Sequence, residues 1–177
     1  MKEFNIEPLD LDKDIPTIDN WEKEFADTLG MKNIKHFILE DNIYYSLAEV
    51  IETNYEKFQI NKNEKKYAYV FKNQDGEILG FTLNVIIEAM TPEPELIIQY
   101  IVINPKYQGQ GIAKKALTTL MNNPQEYYGS EFKSAFSRID RLNVMSRKLF
   151  ESLGFNLNYT NTNYLSATKS EITHEKE

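Results

Sequence analysis

The sequence predicts a single α/β domain in which one sheet carries helices on its faces. Three observations lead there. Leu79, Phe81, Leu83, Val85 and Ile87 alternate with Thr82, Asn84 and Glu88, the period of a strand with one inward face and one wetter face. Leu96 to Ile103 is a nearly continuous apolar run, as in a strand buried on both sides. From Gly111 onward, Ile112, Ala116, Leu117, Leu120 and Met121 recur at helical spacing, with Lys114, Lys115, Thr118 and Thr119 on the opposite side. The chain has 177 residues, 41% of them hydrophobic, enough for one core of ordinary size and too few for two full domains. The domain is expected over residues 1–169, followed by a disordered tail, 170–177, which is charged and lacks periodicity.

The remaining elements follow in order. Asn5 to Leu9 reads as a short extended start. Asp14 is the candidate N-cap of a helix whose apolar face is Ile18, Trp21, Phe25 and Leu29, ending at Gly30. Ile43, Leu47, Ile51 and Tyr55 mark a second helix, with Asp41 placed to cap it. Tyr67, Tyr69 and Phe71 lie on one side of a strand from Lys66 to Lys72. Asp75-Gly76 then supplies the positive φ of a tight hairpin into the strand from Leu79. Pro92 and Pro94 separate that strand from the next, because neither can donate a ladder hydrogen bond. Asn122-Asn123-Pro124 stops the helix that Gly111 opens, and a long polar loop follows. Phe132 to Ile139 is the next strand, Asp140 the candidate cap of a helix through Leu153, and Gly154 its terminator. Weak strand signals begin at Phe155.

Composition narrows the chemistry. Cysteine is absent and the two histidines, His36 and His174, are far apart, which argues against a structural metal site. A formal charge of −7 argues against broad nucleic-acid binding and suits a cationic small substrate. No apolar run approaches the roughly 20 residues that span a bilayer, and the start, Met1 to Asn5, lacks a signal-peptide segment. The expectation is a cytoplasmic protein without a membrane partner.

The stretch that carries chemistry runs from Ile97 to Leu117. A buried strand delivers the chain to a turn in which Gly109 and Gly111 permit close backbone approach, so that amide N–H groups can converge on an anion. The helix that follows adds the partial positive charge of its N-terminus, and Lys106, Lys114 and Lys115 offset the negative field locally. The pattern lacks the Gly-Lys-Ser/Thr ending of a P-loop and a full Gly-x-Gly-x-x-Gly, which counts against a nucleotide-binding domain.

Gln108-x-x-Gly111-x-Ala113, after an apolar strand ending Asn104-Pro105, resembles the coenzyme A signature of the GNAT superfamily of N-acetyltransferases. Asn143-x-x-Ser146-x-x-Leu149-Phe150-Glu151-x-x-Gly154-Phe155 is similar to a second motif of the same superfamily. Asn143, Ser146 and Phe150 stand at i, i+3 and i+7, on one helix face that would line a groove. The resemblance implies a bent, mixed, mostly antiparallel sheet of six to seven strands flanked by about four helices. It also implies acetyl-CoA as co-substrate, with main-chain groups of Ile101, Val102 and Ile103 holding the pantetheine. The diphosphate would rest on Gln108, Gly109, Gln110, Gly111, Ile112 and Ala113, while Asn143, Ser146 and Phe150 flank the coenzyme.

The implied reaction is acetyl transfer to a primary amine of a small molecule or a protein. It needs a base, an oxyanion donor and an acid for the thiolate. Many members carry a tyrosine where this chain has Phe150, which cannot donate a proton. Tyr128 is therefore a candidate acid, as are Tyr127, Tyr159 and Tyr164. Glu95, Glu88 and Gln99 are the candidates for attracting the amine and ordering a proton-accepting water. Phe150 also motivates an alternative, a non-catalytic acyl-CoA-binding module of the same fold. Exposed aromatic residues in the last strands could pair two copies as a homodimer.

Overall fold

The computed structural model describes residues 3–29, 39–40, 43–44, 64–88, 93–160 and 163–172. The strands are β1 (Asn5–Pro8), β2 (Leu39–Glu40), β3 (Ile43–Tyr44), β4 (Glu64–Lys72), β5 (Ile78–Ile87), β6 (Glu95–Ile103), β7 (Ser134–Asp140), β8 (Asn156–Tyr159) and β9 (Tyr164–Lys169). The helices are α1 (Leu11–Leu29), α2 (Ile112–Asn122), α3 (Pro124–Tyr128) and α4 (Val144–Ser152). Seven strands form one sheet in the order β1-β4-β5-β6-β7-β9-β8, and among the described residues β2 and β3 make a separate two-stranded pair. This is the mixed α/β architecture expected. Every neighbour in the large sheet is antiparallel except β6 and β7.

The sheet buries both faces. Ile18 and Trp21 of α1 pack on Ala68, Val70, Phe81, Leu83 and Val102. Leu117, Leu120 and Met121 of α2, Tyr128 of α3, and Phe150 of α4 cover Ile86, Leu96, Ile98 and Ala135 on the opposite face. Phe71, Leu79, Tyr107, Ile112 and Ala116 close the end of that layer beside the glycine turn. The hairpin forms as expected: Gly76 has φ 79°, and Asn73 Oδ1 accepts from Asp75 N–H and Glu77 N–H at 3.0 and 2.9 Å.

Four expectations need correction. Asp10, rather than Asp14, caps α1, its Oδ1 accepting from Asp12 N–H and Lys13 N–H at 3.1 and 3.2 Å. Asp14 sits within the first turn, 3% exposed, and pairs at 2.9 Å with Lys72 of β4. Asn143, rather than Asp140, caps α4, because Asp140 is still in β7 and its Oδ1 accepts from Leu142 N–H. The face of β5 expected to be wet is sealed: Thr82 and Asn84 are both 0% exposed. The polar loop after α2 contains α3, and its Tyr128 is core. The second helix expected between Ile43 and Tyr55 lies outside the described residues apart from Ile43 and Tyr44, which are in β3. Packing continues past β9, since Ile172 is 7% exposed and donates its N–H to Lys133 O at 2.9 Å.

Two bulges change which residues share a face. Lys72 pairs with Ile78 and Phe71 with Gly80, which leaves Leu79 as an extra residue. Leu83 pairs with Tyr100 and Asn84 with Ile98, which leaves Gln99 as another. Gly80 lies against β6 so closely that a Cβ there would meet Val102 O at 2.6 Å and Ile103 Cδ1 at 2.7 Å. Gly80→Ala is expected to destabilise the fold by about 1–3 kcal/mol, because two packed strands must part to admit one carbon. Urea unfolding checks it, and a loss under about 0.5 kcal/mol would show that the strands yield.

Candidate functional site

The site is built by strands that stop pairing. The parallel ladder of β6 and β7 consists of Glu95↔Ser134, Leu96↔Ala135 and Ile97↔Phe136, and then the strands separate. At the vertex, the buried Ser137 donates its hydroxyl to Ile98 O at 2.9 Å, satisfying a carbonyl that the lost ladder would orphan. Beyond it, Asn104 N–H donates to Leu79 O of β5 at 2.9 Å. Alternation along the strand therefore turns main-chain groups of Ile101 and Ile103 the other way, toward the edge that β7 has left. Ile103 O accepts from Gln108 Nε2 at 3.3 Å, as that direction requires. Val102, expected to share this role, directs its side chain into the α1 layer and pairs with Phe81 of β5.

The glycine turn lies at the mouth of this fork. Buried Asn104 sets it up, its Oδ1 accepting from Lys106 N–H at 3.0 Å at the start of the 3₁₀ turn Pro105–Tyr107. Gly109 and Gly111 then adopt φ 74° and 77°, the left-handed region, and a Cβ on either would meet nothing within 4 Å. Gly109, Gln110 and Gly111 are exposed. Gly111 is the N-cap of α2 and brings no side chain to the first amides, so the N–H groups of the first turn carry no side-chain cap. Such a cradle fits the anionic diphosphate of a coenzyme. Of the three lysines expected here, Lys106 pairs with Glu77 at 3.0 Å and Lys115 lies over the Phe4 ring. Lys114 is exposed and makes no ion pair among the described residues.

On the facing bank, Asn143 caps α4 by accepting from Ser146 N–H at 3.0 Å. Phe150 is 2% exposed and packs edge-on against Phe155, ring centroids 5.0 Å apart, so it is core rather than an open groove wall. Because β6 and β7 are parallel, α2 and α4 both begin at the same edge of the sheet, and the fork opens between their N-termini. Arg147 also belongs to this bank. It stands four residues after Asn143, on the same helix face, a position that composition and spacing alone do not single out.

The candidate acid–base residues separate into two groups. Glu95 is half-buried at the start of β6, where its carboxylate accepts from Ser134 Oγ at 3.2 Å. Register brings Glu88 beside it, since Ile87 lies opposite Glu95, but Glu88 is paired with Lys65 at 2.6 Å. Glu93 pairs with Lys133. Strict alternation along β6 would put Glu95, Ile97, Gln99 and Ile101 on one face, but the bulge breaks that row: Ile101 packs in the layer of Leu96 and Ile98, and Tyr100 joins Val102 on the α1 side. Gln99 is exposed at the bulge, next to the vertex.

Tyr128 lies in the core. It is 2% exposed, receives Asn84 Nδ2 at 3.1 Å, and contacts Tyr67, Tyr69 and Phe132 edge-on. Burial pushes its hydroxyl well above the usual phenol range. Tyr67 and Tyr69 of β4 donate to the carbonyls of Tyr128 and Tyr127, fastening α3 to the sheet. Among the described residues no group of side chains could hold a metal ion, and no helix is long and apolar enough to cross a membrane.

A splayed pair of parallel strands, with an open glycine turn at the mouth, suits an extended ligand with an anionic end, as an acyl-coenzyme A transferase requires. The profile of the acetyltransferase (GNAT) family matches residues 31–155, and the chain belongs to that family. It is an N-acetyltransferase that uses acetyl-CoA as co-substrate. An N-acetyltransferase of Haemophilus ducreyi that acts on alanine of ribosomal protein bS18 is 28% identical over 105 residues. That alignment covers 59% of this chain and 67% of the relative. Spermidine N-acetyltransferase of Vibrio cholerae, solved with CoA and spermine, superposes with a TM-score of 0.64 at 17% identity, covering 95% of both chains. A dodecameric structure of the Vibrio enzyme gives 0.59 at 15% identity, covering 94% of this chain and 93% of that one.

Gly111→Val places a β-branched side chain at φ 77° and fills the open cradle. Titration calorimetry with CoA is expected to show affinity lowered about tenfold or more in a folded variant. Undiminished affinity would remove the glycine turn from the coenzyme site.

Proposed function

We propose that this chain acetylates the primary amine of a small cationic molecule, with acetyl-CoA lying in the fork between β6 and β7. The observation that carries the reading is the fork itself, with main-chain groups of Ile101 and Ile103 along one edge and uncapped amides of α2 at its mouth. The pantetheine adds to β6 as a strand would, and the diphosphate rests on residues Gln108 to Ala113. An N–H of the Ile101 to Ile103 segment polarises the thioester carbonyl and stabilises the oxyanion that forms on attack.

The amine approaches from the α1 face of the sheet, the side to which Glu95 and Ile97 belong. Glu95 is the proposed base, acting through a water ordered with Gln99, because it is half-buried and carries no ion pair among the described residues. Glu88, held by Lys65, contributes negative field that favours a cationic acceptor. No side-chain acid is assigned: Phe150 lacks a proton and the Tyr128 phenol is enclosed, so coenzyme A departs as the thiolate. Support for a polyamine-like acceptor comes from the net charge of −7 and from the superposition on an enzyme solved with spermine.

Glu95→Gln is expected to lower kcat about 100-fold or more near neutral pH with acetyl-CoA KM little changed, whereas Glu88→Gln acts mainly on amine KM. Steady-state kinetics over a polyamine and amino-acid panel decide it. Full activity and an unaltered pH profile for Glu95→Gln would exclude the carboxylate.

We further propose that copies of the chain associate along the β8 edge. Tyr159 is 73% exposed there, with Arg141 over its ring and Leu142 and Met145 exposed at 70% and 64%. Light scattering is expected to report a dimer or larger assembly that Tyr159→Glu dissociates. A monomeric wild type at tens of micromolar would refute it.

A further inference from the structure

Arg147 stands in the second turn of α4, four residues after the capping Asn143 and three before the buried Phe150. It is half-buried, and its Nε is enclosed with no hydrogen-bond partner, the one such side-chain atom among the described residues. Its guanidinium makes no ion pair there, although Glu151 lies at i+4, the spacing at which opposite charges on a helix meet. Asn143 Oδ1 is already used by Ser146 N–H. An enclosed cationic donor that bypasses a carboxylate one turn away is costly to keep, unless an acceptor arrives from elsewhere.

The topology says where that acceptor would come from. The first turns of α2 and α4 share one edge of the sheet, with the fork between them, so Arg147 and the glycine turn belong to opposite banks. A guanidinium presents planar paired donors that match a phosphoryl group better than a lone main-chain amide or an ammonium does.

We propose that Arg147 is a second anion anchor of the coenzyme site, receiving the 3′-phosphate of bound acetyl-CoA across the fork from the glycine turn. This rests on the glycine turn holding the diphosphate, which leaves the 3′-phosphate as the one remaining anion of the coenzyme. Among the described residues the guanidinium has no partner, and binding would supply the acceptor.

The test compares wild type, Arg147→Gln and Arg147→Lys with three donors: acetyl-CoA, acetyl-3′-dephospho-CoA and acetyl-pantetheine. Arg147→Gln is expected to raise the KM for acetyl-CoA about 10- to 100-fold with kcat little changed, and Arg147→Lys to recover part of that. Removing the 3′-phosphate from the donor should penalise wild type by a similar factor and leave Arg147→Gln indifferent. The unfolding midpoint of the free protein should not fall in Arg147→Gln, since no bond is lost, while the upward shift caused by saturating CoA should shrink. Equal KM in wild type and variant, or an equal penalty on all three donors, overturns the proposal. A penalty kept on the 3′-dephospho donor but absent on acetyl-pantetheine also overturns it, by assigning Arg147 to the diphosphate. If wild type itself binds no CoA, the glycine-turn reading falls with it, an outcome distinct from a wild type that binds and a variant that binds equally well.

Discussion

The arrangement depends on a parallel ladder that ends after Ile97↔Phe136. A central strand is normally paired on both edges, because each unpaired main-chain group that is shut away from water costs about as much as a lost hydrogen bond. β6 is paired in full with β5 but only over its first part with β7. The Ser137 hydroxyl on Ile98 O closes the vertex, and past it the free edge of β6 lies inside the protein rather than on its rim. An internal strand edge is a template for an extended ligand carrying its own amides. The pantetheine arm of coenzyme A, with two amide groups in a linear chain, has that chemistry.

The bulge at Gln99 is what lets a single strand serve both the core and this edge. Ile98 directs its carbonyl to Ser137 of β7, whereas Tyr100 directs its own toward β5, where Thr82 Oγ1 donates to it at 2.7 Å. Two residues of a regular strand would point the same way. The extra residue reverses the phase, so that the side chains of Leu96, Ile98 and Ile101 all meet the α2–α4 layer while Tyr100 and Val102 meet α1. Thr82 also reaches Asn84 Oδ1 at 3.1 Å, and Asn84 reaches Tyr128, so buried polar groups beside the bulge find partners within the fold.

What was legible in the sequence follows from these features. Periodicity marked β5, β6 and α2, since each buries an apolar row and the hydrophobic pattern records burial directly. Gly109 and Gly111 marked the turn because positive φ restricts residue type. The bulges leave no trace: an inserted residue in an apolar strand looks like one more apolar or polar position, so alternation alone would carry the face of Glu95 on to Ile101. Caps were misplaced by a few residues because Asp10 and Asp14, or Asp140 and Asn143, are all competent acceptors, and only the tertiary partner decides. Asp14 is claimed by Lys72, which leaves Asp10 to cap. Thr82 and Asn84 looked solvated because polarity by itself does not reveal that Tyr128 comes from α3 to meet them.

The absence of a phenol at position 150 has a consistent counterpart in the packing. Phe150 and Phe155 meet edge to face at 5.0 Å with both side chains buried, a contact that a hydroxyl on the outer end of the ring would have to satisfy with a new acceptor. Nearby, the enclosed Arg147 Nε already has no acceptor among the described residues. A second donor in the same layer would compound an imbalance that only a bound anion relieves. On the proposed reading the α4 bank holds the coenzyme rather than transferring a proton: main-chain groups of β6 polarise the thioester, Glu95 takes the amine proton through a water, and coenzyme A leaves unprotonated because a thiolate is a stable leaving group.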